Sequence, residues 1–490
     1  MKPSQIFIRC DSSYEIGGGH MVRCLALAEQ FREAGLESHF LCKDFAGSAH
    51  SLAIEQGFEL SLMPPDLSED LDAQFCQRAI GDCQNPFIIV DHYSLNNRWE
   101  NFFAATGFVM VIDDLGRRHS GHLLLDANFH RSPTRLYESK LPKQMTKFFG
   151  PQYALLRKDF RTLVGQLPRN GVLAFFGSGD PTGESLKFVK AVSNHRSNTL
   201  FKLLLSNSNQ HAQEFDKLVL PKNLTVYRNP PFIAELMAHS ELYIGSGGTI
   251  TWERMRLGLP GIVVAVAENQ EDISRDLAEA DEQIYLGRAE AIDYSKALIL
   301  CEEKLKDKNW REATAERNSQ LVRPLKIEDI LACYDGLRAR LSTMADAQFL
   351  YELRNDPATN KGMFNQGQFS FESHRNWLAE KIKATETTLC TIVLKGRPIG
   401  QVRIDPDLSV SLSLVSEVRG KGLSSIALAV GLDLDRQKRA APTTYIAKIK
   451  PNNAASRKAF ENVGFRFSGQ EKVDNELCDL LLLESELSQV

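Results

Sequence analysis

Short apolar runs that stop abruptly at polar residues recur through the first two thirds of the chain. QIFIRCD (5–11), PFIIVDHY (86–93) and FVMVIDDL (108–115) are nearly continuous in apolar side chains and end at acidic or polar positions. Such runs predict strands of a parallel sheet covered on both faces, because alternation is needed only where one face meets water. Between them, MVRCLALAEQFREAG reads as a helix ending at Gly35, LESHFLCKD as a strand and SAHSLAIEQG as a helix. This alternation predicts a doubly wound α/β module over residues 1–160.

The same rhythm returns from residue 171. GVLAFFGSGD is a strand meeting a Gly-rich turn, and NTLFKLLLS and NLTVYRN are further strands. ELYIGSGGTITWERMRLGLPGIVVAVAENQ reads as strand, Gly loop, helix, turn and strand. A second doubly wound module is therefore expected over 161–325, closed by the charged, helical stretch 301–330. Ligands of open α/β sheets bind beyond the carboxyl ends of the strands, so a site is expected between the two modules.

The texture changes near residue 336. ADAQFLYELRNDP is amphipathic, TTLCTIVLKGRPIGQVRIDPDLSVSLSLVSE alternates as antiparallel strands do, and RGKGLSSIALAVGLDLDRQ opens a helix. Residues 336–490 hold 21 basic and 18 acidic residues, a balance of +3 against −7 for the remainder. They form a third, α+β unit, and a cut near residue 330 is expected to release two soluble pieces.

Composition narrows the class. With 43% hydrophobic and 24% charged residues among 490, the chain is neither wholly disordered nor fibrous. A net charge of −4 with no basic stripe argues against a nucleic-acid partner. Nine cysteines, none spaced C-x-x-C and with Cys76 and Cys83 the nearest pair, predict neither a disulfide framework nor a zinc site. The N-terminal residues lack the apolar core of a signal peptide, and no run reaches the ~20 apolar residues of a membrane span. A cytoplasmic protein without a membrane partner is expected.

Two loops carry candidate chemistry. Gly17-Gly18-Gly19-His20 joins a strand to a helix, so its backbone can approach a ligand and its NH groups lie at a helix start. His20 there suits a general base working near neutral pH; the alternative is a turn histidine. Gly245-Ser246-Gly247-Gly248-Thr249 follows a strand and opens a helix, where NH groups can hold a diphosphate. Glu253, one turn on, is placed to accept from ribose hydroxyls, or only complements the helix dipole. Arg23 is either a cation for a leaving diphosphate or a solvated helix residue. Asp113-Asp114 at a strand end reads as structural, and no metal is called for.

IRCDSSYEIGGGHMVRCLALAEQF, IIVDHYSL, VMVIDDLGRRHSGHLLLDAN, GPQYALLRKDFR and GSGGTITWE…ENQ together resemble the nucleotide-sugar hydrolases of pseudaminic acid biosynthesis. These hydrolases act on UDP-2,4-diacetamido-2,4,6-trideoxy-β-L-altropyranose and share the GT-B-like fold. The resemblance covers residues 1 to about 320. It implies that His20 activates water for attack at C1 of a UDP-sugar, with inversion. It places Asp11, Gly19, Tyr93 and Asn269 near the sugar, and Gly247, Gly248, Thr249 and Glu253 at the uridine diphosphate.

In the third unit, Arg419-Gly420-Lys421-Gly422-Leu423-Ser424 fits [QR]-x-x-G-x-[GAS] between a strand and a helix. With Asn453-x-x-Ser456 and the Gly464-Phe465 turn, it resembles the GNAT acetyltransferases, and LRNDP and HRNWL resemble their sugar N-acetyltransferase branch. The resemblance implies acetyl-CoA as co-substrate, held by Arg419, Gly420, Lys421, Gly422, Ser424, Asn453 and Ser456. Phe460 stands where many of these enzymes have a tyrosine that protonates the leaving thiolate, so Ser456 or water must substitute. Glu417 and Asp405 are candidate bases. The fold class expected is thus α/β, two Rossmann-like modules in a GT-B-like pair, followed by an α+β GNAT domain. Three alternatives stay open: a GT-B glycosyltransferase, a nucleotide-sugar sensor without turnover, and a GNAT unit acting on another amino sugar or on protein amines.

Overall fold

Near-continuous apolar strands need cover on both faces, and the structure supplies it. The computed structural model describes residues 3, 5–131, 133–163, 168–439, 443–473 and 476–484. The end of the expected third domain, 485–490, lies outside them. Strands β1 (Ile6–Cys10), β2 (Ser38–Lys43), β3 (Glu59–Met63), β4 (Phe87–Asp91), β5 (Phe108–Ile112), β6 (Leu123–Asp126) and β7 (Thr146–Phe149) form one sheet ordered β3-β2-β1-β4-β5-β6-β7. Every pairing in it is parallel. β1, β4 and β5 are buried along their whole length, as their sequences require. β3, at the sheet edge and only partly buried, carries too mixed a pattern to stand out in sequence.

The second sheet contains β8 (Val172–Phe175), β9 (Phe201–Leu205), β10 (Leu224–Arg228), β11 (Leu242–Ser246), β12 (Gly261–Ala265) and β13 (Ile284–Arg288), ordered β10-β9-β8-β11-β12-β13 and again parallel. The strand order reverses at β1/β4 in one sheet and at β8/β11 in the other, the switch points at which such sheets open a crevice. Both candidate loops start there, the first after β1 and the second after β11. These are the two Rossmann-like modules of the expected GT-B-like plan. The chain then returns to the first module: Ala154 N donates to Arg323 O and Leu325 N to Ala154 O.

The third unit has two antiparallel sheets. β14 (Arg338–Leu341), β15 (Thr388–Leu394), β16 (Arg397–Ile404) and β17 (Val410–Leu414) pair in sequence order. β18 (Thr444–Ile449), β19 (Arg466–Val473) and β20 (Glu476–Glu484) are ordered β18-β20-β19. A single bridge, Ser409 to Ile446, joins the two sheets.

The boundary near residue 330 is occupied by a packed helix, Ile327–Tyr334. Its Ile327 and Ile330 belong to one continuous apolar cluster that joins Phe31, Phe87 and Phe108 of the first module to Ile426, Val430 and Phe460 of the third. Each buried isoleucine contributes roughly 1.5–3 kcal/mol. Tyr334 stacks on Phe87 with centroids 5.4 Å apart, and Lys147 pairs with Asp433 across the junction at 2.9 Å. Separating the two pieces therefore exposes a shared core. The change in charge balance that suggests a cut there carries no information about this packing.

Candidate functional site

β1 and β4 are hydrogen-bonded neighbours, so the helix that follows β1 starts beside the carboxyl end of β4. This brings His20, in the first turn of the helix Gly19–Glu33, to Asp91, the last residue of β4. His20 Nδ1 lies 2.6 Å from Asp91 Oδ1. Arg23, one turn along the helix, donates to both oxygens of Asp91 at 2.6 Å and to Asp114 Oδ2 at 3.0 Å. Arg23 Nη2 is also 3.1 Å from His20 Nδ1, but two donors cannot bond, and Asp91 Oδ1 is their common acceptor. With its proton on Nδ1 and directed at a carboxylate, the ring keeps a lone pair on Nε2, the arrangement a general base needs.

Electrostatics support that arrangement. Burial alone would raise the Asp91 carboxyl, but Arg23 and His20 outweigh it and hold the group below the usual carboxylate range. Asp91 is fully buried, so an anion there is tolerated only with these partners. An imidazolium formed on His20 would be stabilised by the same carboxylate. Tyr93 packs edge-on against His20 at 4.5 Å. Burial, then Asp114, raises its phenol, which therefore remains a donor.

The second module closes over this corner. Asn269 Nδ2 is 3.5 Å from Tyr93 Oη, and a Cβ on Gly19 would lie 3.7 Å from Thr249 Oγ1. His20, Gly19, Arg23, Tyr93, Asn269 and Thr249 thus share one cleft, although they come from four separate stretches of sequence. Gly245, at φ +155, has no room for a side chain, since a Cβ would fall 1.9 Å from Phe175 O.

Four of the candidate residues are held by partners that the sequence did not reveal. Asp11 does not face the cleft: it is 1% exposed, and its oxygens accept from Arg9, His92 and the Lys43 NH. It organises the loop behind the site, because a carboxylate that deep must have all its acceptors filled. Gly247 is likewise set back, with its NH donating to Gln270 Oε1 at 3.3 Å, which leaves Gly248 and Thr249 at the mouth. Glu253 already has a partner, since both its oxygens accept from Arg157, at 2.6 and 2.7 Å, so a ribose there would have to share the carboxylate or displace Arg157. Arg23 is not solvated, and its charge is shared between Asp91 and Asp114.

Sequence reasoning gave no role to Asp91 or Arg157 and read Asp114 as structural. The Asp113-Asp114 pair divides in two. Asp113 is structural, bonded to Arg117 and Tyr137, whereas Asp114 accepts from Arg23 and lies beside the Tyr93 phenol. Among the described residues no cluster of His, Cys, Asp or Glu is placed to hold a metal, no helix is long and apolar enough to cross a membrane, and all nine cysteines are free.

In the third unit, Gly420 and Gly422 adopt φ of +75 and +79, which turns the loop so that its NH groups lead into the helix Leu423–Lys438. Lys421 is exposed and Ser424 half-buried at that start. Arg419 is tied to the scaffold, donating to Leu414 O, Asp356 and Thr359 Oγ1. Asn453 caps its helix by accepting from Ser456 N at 3.1 Å. Phe460 is 2% exposed and packs edge-on against Phe465, so the aromatic at this position is a core residue. Asp405 is paired with Lys381 and Arg403 in the turn between β16 and β17. Glu417 is exposed beside the loop.

Comparison with known proteins agrees with this division. Residues 337–466 match the acetyltransferase (GNAT) domain family. The chain is 25% identical over 281 residues, 56% of its length and 96% of the relative's, to the UDP-2,4-diacetamido-2,4,6-trideoxy-β-L-altropyranose hydrolase of Campylobacter jejuni. It is 22% identical over 501 residues to an uncharacterized protein of Methanocaldococcus jannaschii, spanning 94% of this chain and 96% of that one. Among solved structures, Acinetobacter baumannii MurG aligns with 66% of this chain and 96% of its own at 13% identity and a TM-score of 0.46. An aminoglycoside acetyltransferase solved with coenzyme A and kanamycin aligns with 30% of this chain and 94% of its own at 18% identity and a TM-score of 0.26. The third unit is a GNAT acetyltransferase domain, joined to a pair of Rossmann-like modules that has a hydrolase among its homologues.

Proposed function

We propose that this chain is a bifunctional enzyme of pseudaminic acid biosynthesis. Its acetyltransferase domain transfers acetyl from acetyl-CoA to the 4-amine of a UDP-4-amino-4,6-dideoxy sugar. Its Rossmann-like pair then hydrolyses the product, UDP-2,4-diacetamido-2,4,6-trideoxy-β-L-altropyranose, to UDP and the free sugar. The observation that carries the hydrolase reading is the His20–Asp91 pair at the first switch point, facing the Gly248-Thr249 loop of the second module.

In the hydrolysis, the uridine diphosphate lies on the second module, with its charge met by NH groups at Gly248 and Thr249. His20 Nε2 takes a proton from a water on the opposite face of the sugar. The water oxygen bonds to C1, the C1–O bond to UDP breaks, and the anomeric centre inverts. Asp91 holds the ring and stabilises the imidazolium, while Arg23 keeps Asp91 ionised. The Asn269 amide and the Tyr93 hydroxyl, 3.5 Å apart at the edge of the cleft, bond the sugar's polar groups. In the acetyl transfer, the sugar amine attacks the thioester carbonyl, loses a proton and expels the coenzyme A thiolate, which Ser456 or water protonates in place of a tyrosine.

Incubation with the UDP-4-amino sugar and acetyl-CoA, followed by NMR, tests both halves. Coenzyme A, UDP and free sugar should all accumulate without any glycosyl acceptor. If UDP forms only when an acceptor is added, the first two modules are a glycosyltransferase; if neither UDP nor coenzyme A forms, the bifunctional reading fails.

A further inference from the structure

Lys326 begins the linking helix, outside the stretch 337–466 that matches the acetyltransferase family. Its ammonium nevertheless reaches that domain, donating to Ser425 Oγ at 3.3 Å in the first turn of the helix Leu423–Lys438. Asn462 donates to the same oxygen at 3.2 Å. Lys326 forms no salt bridge among the described residues. Burial lowers its pKa first, and the neighbouring cations Lys458 and Arg323 lower it further against the opposing pull of Asp329 and Glu328. Arg323 is only loosely paired, 3.9 Å from Glu461. A Cβ on Gly422 would lie 3.8 Å from Glu328 Cβ, so the linking helix flanks the glycine loop itself.

Three cations thus gather where the linking helix, the Gly420–Gly422 loop and the helix Ala454–Asn462 meet, and Lys326 points at the helix start rather than at a carboxylate. Asp329, Glu328 and Glu461 lie near these cations, but none pairs with Lys326, and a half-buried ammonium without a paired carboxylate is stabilised when an anion joins it. Coenzyme A carries such anions, a pyrophosphate and a 3′-phosphate. Loop NH groups suit the first, but they carry no full charge, and an ammonium at the edge of the helix start supplies one.

We infer that Lys326 is a phosphate ligand of coenzyme A, lent to the acetyltransferase domain by the segment that joins it to the first two modules. This rests on the reading that residues 419–424 hold acetyl-CoA. The coenzyme site is then complete only in the full chain, and Lys458, exposed on the neighbouring helix, contributes to it more weakly.

Calorimetry on the full chain tests this with coenzyme A and 3′-dephospho-coenzyme A as probes. Lys326→Ala should weaken coenzyme A roughly tenfold, Lys326→Arg should restore most of that loss, and UDP affinity should be unchanged in both. A loss confined to coenzyme A assigns Lys326 to the 3′-phosphate, whereas an equal loss with both probes assigns it to the pyrophosphate. Lys458→Ala, outside the junction, should weaken coenzyme A by a smaller factor and covers the case in which Lys326→Ala misfolds. Unchanged coenzyme A affinity in Lys326→Ala overturns the inference. A wild-type chain that binds UDP but no coenzyme A overturns the acetyl-CoA reading itself, and this inference with it.

Discussion

Arg157 holds both carboxylate oxygens of Glu253, at 2.6 and 2.7 Å, across the boundary between the two Rossmann-like modules. Glu253 is 4% exposed, so without a cation its charge would be strongly disfavoured. Arg157 precedes the helix Lys158–Thr162, in the segment that leads from the first module to the second. A ribose binding at Glu253 must therefore share the carboxylate with Arg157 or displace it. The pair ties the second module to the segment that leads into it.

Glu253→Ala is expected to weaken UDP roughly tenfold, about 1.4 kcal/mol. That is less than the loss of two independent charge-assisted hydrogen bonds, about 1.5–3 kcal/mol each, because Arg157 already occupies the carboxylate. Titration calorimetry with UDP decides it, and an unchanged dissociation constant would place the uridine elsewhere.

His20→Asn and Asp91→Asn are expected to lower hydrolysis by roughly 10²–10⁴-fold while leaving UDP affinity and acetyl transfer close to wild type. The asparagine at 91 also deprives Arg23 of its main counter-charge, so this variant should lose thermal stability as well. Steady-state assays of both activities in each variant provide the check. Near wild-type hydrolysis in His20→Asn would reduce that histidine to a turn residue.

Asp329 makes the stability pH-dependent. It is 4% exposed on the linking helix and its Oδ1 has no partner. Burial, opposed by Lys326 and assisted by Glu328, pushes its carboxyl up to about 7. The folded state then holds this proton more tightly than the unfolded chain, whose aspartates titrate near 3.9. The resulting stability is fully present below pH ~4 and is lost as pH rises towards 7, an effect on the order of 2–4 kcal/mol. Asp329→Asn should therefore raise the melting temperature at pH 8 and do so far less near pH 5. An equal effect at both pH values would mean that the carboxyl titrates normally.

The two activities are expected to exchange their intermediate through solvent. The linking helix packs against Phe87 and Phe108, the first residues of β4 and β5, whereas Asp91 is the last residue of β4. The sheet, roughly 13 Å along these strands, lies between the linking helix and the His20 corner. An equimolar mixture of His20→Asn and Gly422→Val chains should therefore convert the UDP-4-amino sugar to free sugar as fast as wild type at equal concentrations of each intact site. Valine at 422 is chosen because φ +79 excludes a branched side chain. A wild-type rate well above that of the mixture, with no lag, would establish direct transfer.

Much of the fold could be read from the chain because its signals are local. The runs IFIRC and FIIVD are apolar throughout because β1 and β4 are buried on both faces. Gly17 ahead of His20, and Gly420 and Gly422 ahead of Leu423, stand where the backbone takes positive φ. A histidine or a P-loop-like turn at a helix start is visible in a few consecutive letters. What surrounds these features is not. Asp91 lies 71 residues from His20 and reads only as the polar end of a strand. It becomes the histidine's partner because β1 and β4 are neighbours at the switch point.

The sequence by itself determined two parallel-sheet modules and an α+β unit, together with the loops where chemistry is expected, since periodicity and glycine placement act over a few residues. Tertiary structure alone decided which candidates face the cleft. Asp11 turned inward to Arg9 and His92, Glu253 closed on Arg157, and Asp114 separated from Asp113. It also decided that Ile327 and Ile330 join two units that composition had divided. The physical reason is the same in each case: a buried charge must find its counter-charge, and an apolar helix face its cover, among residues that only the folded chain brings together.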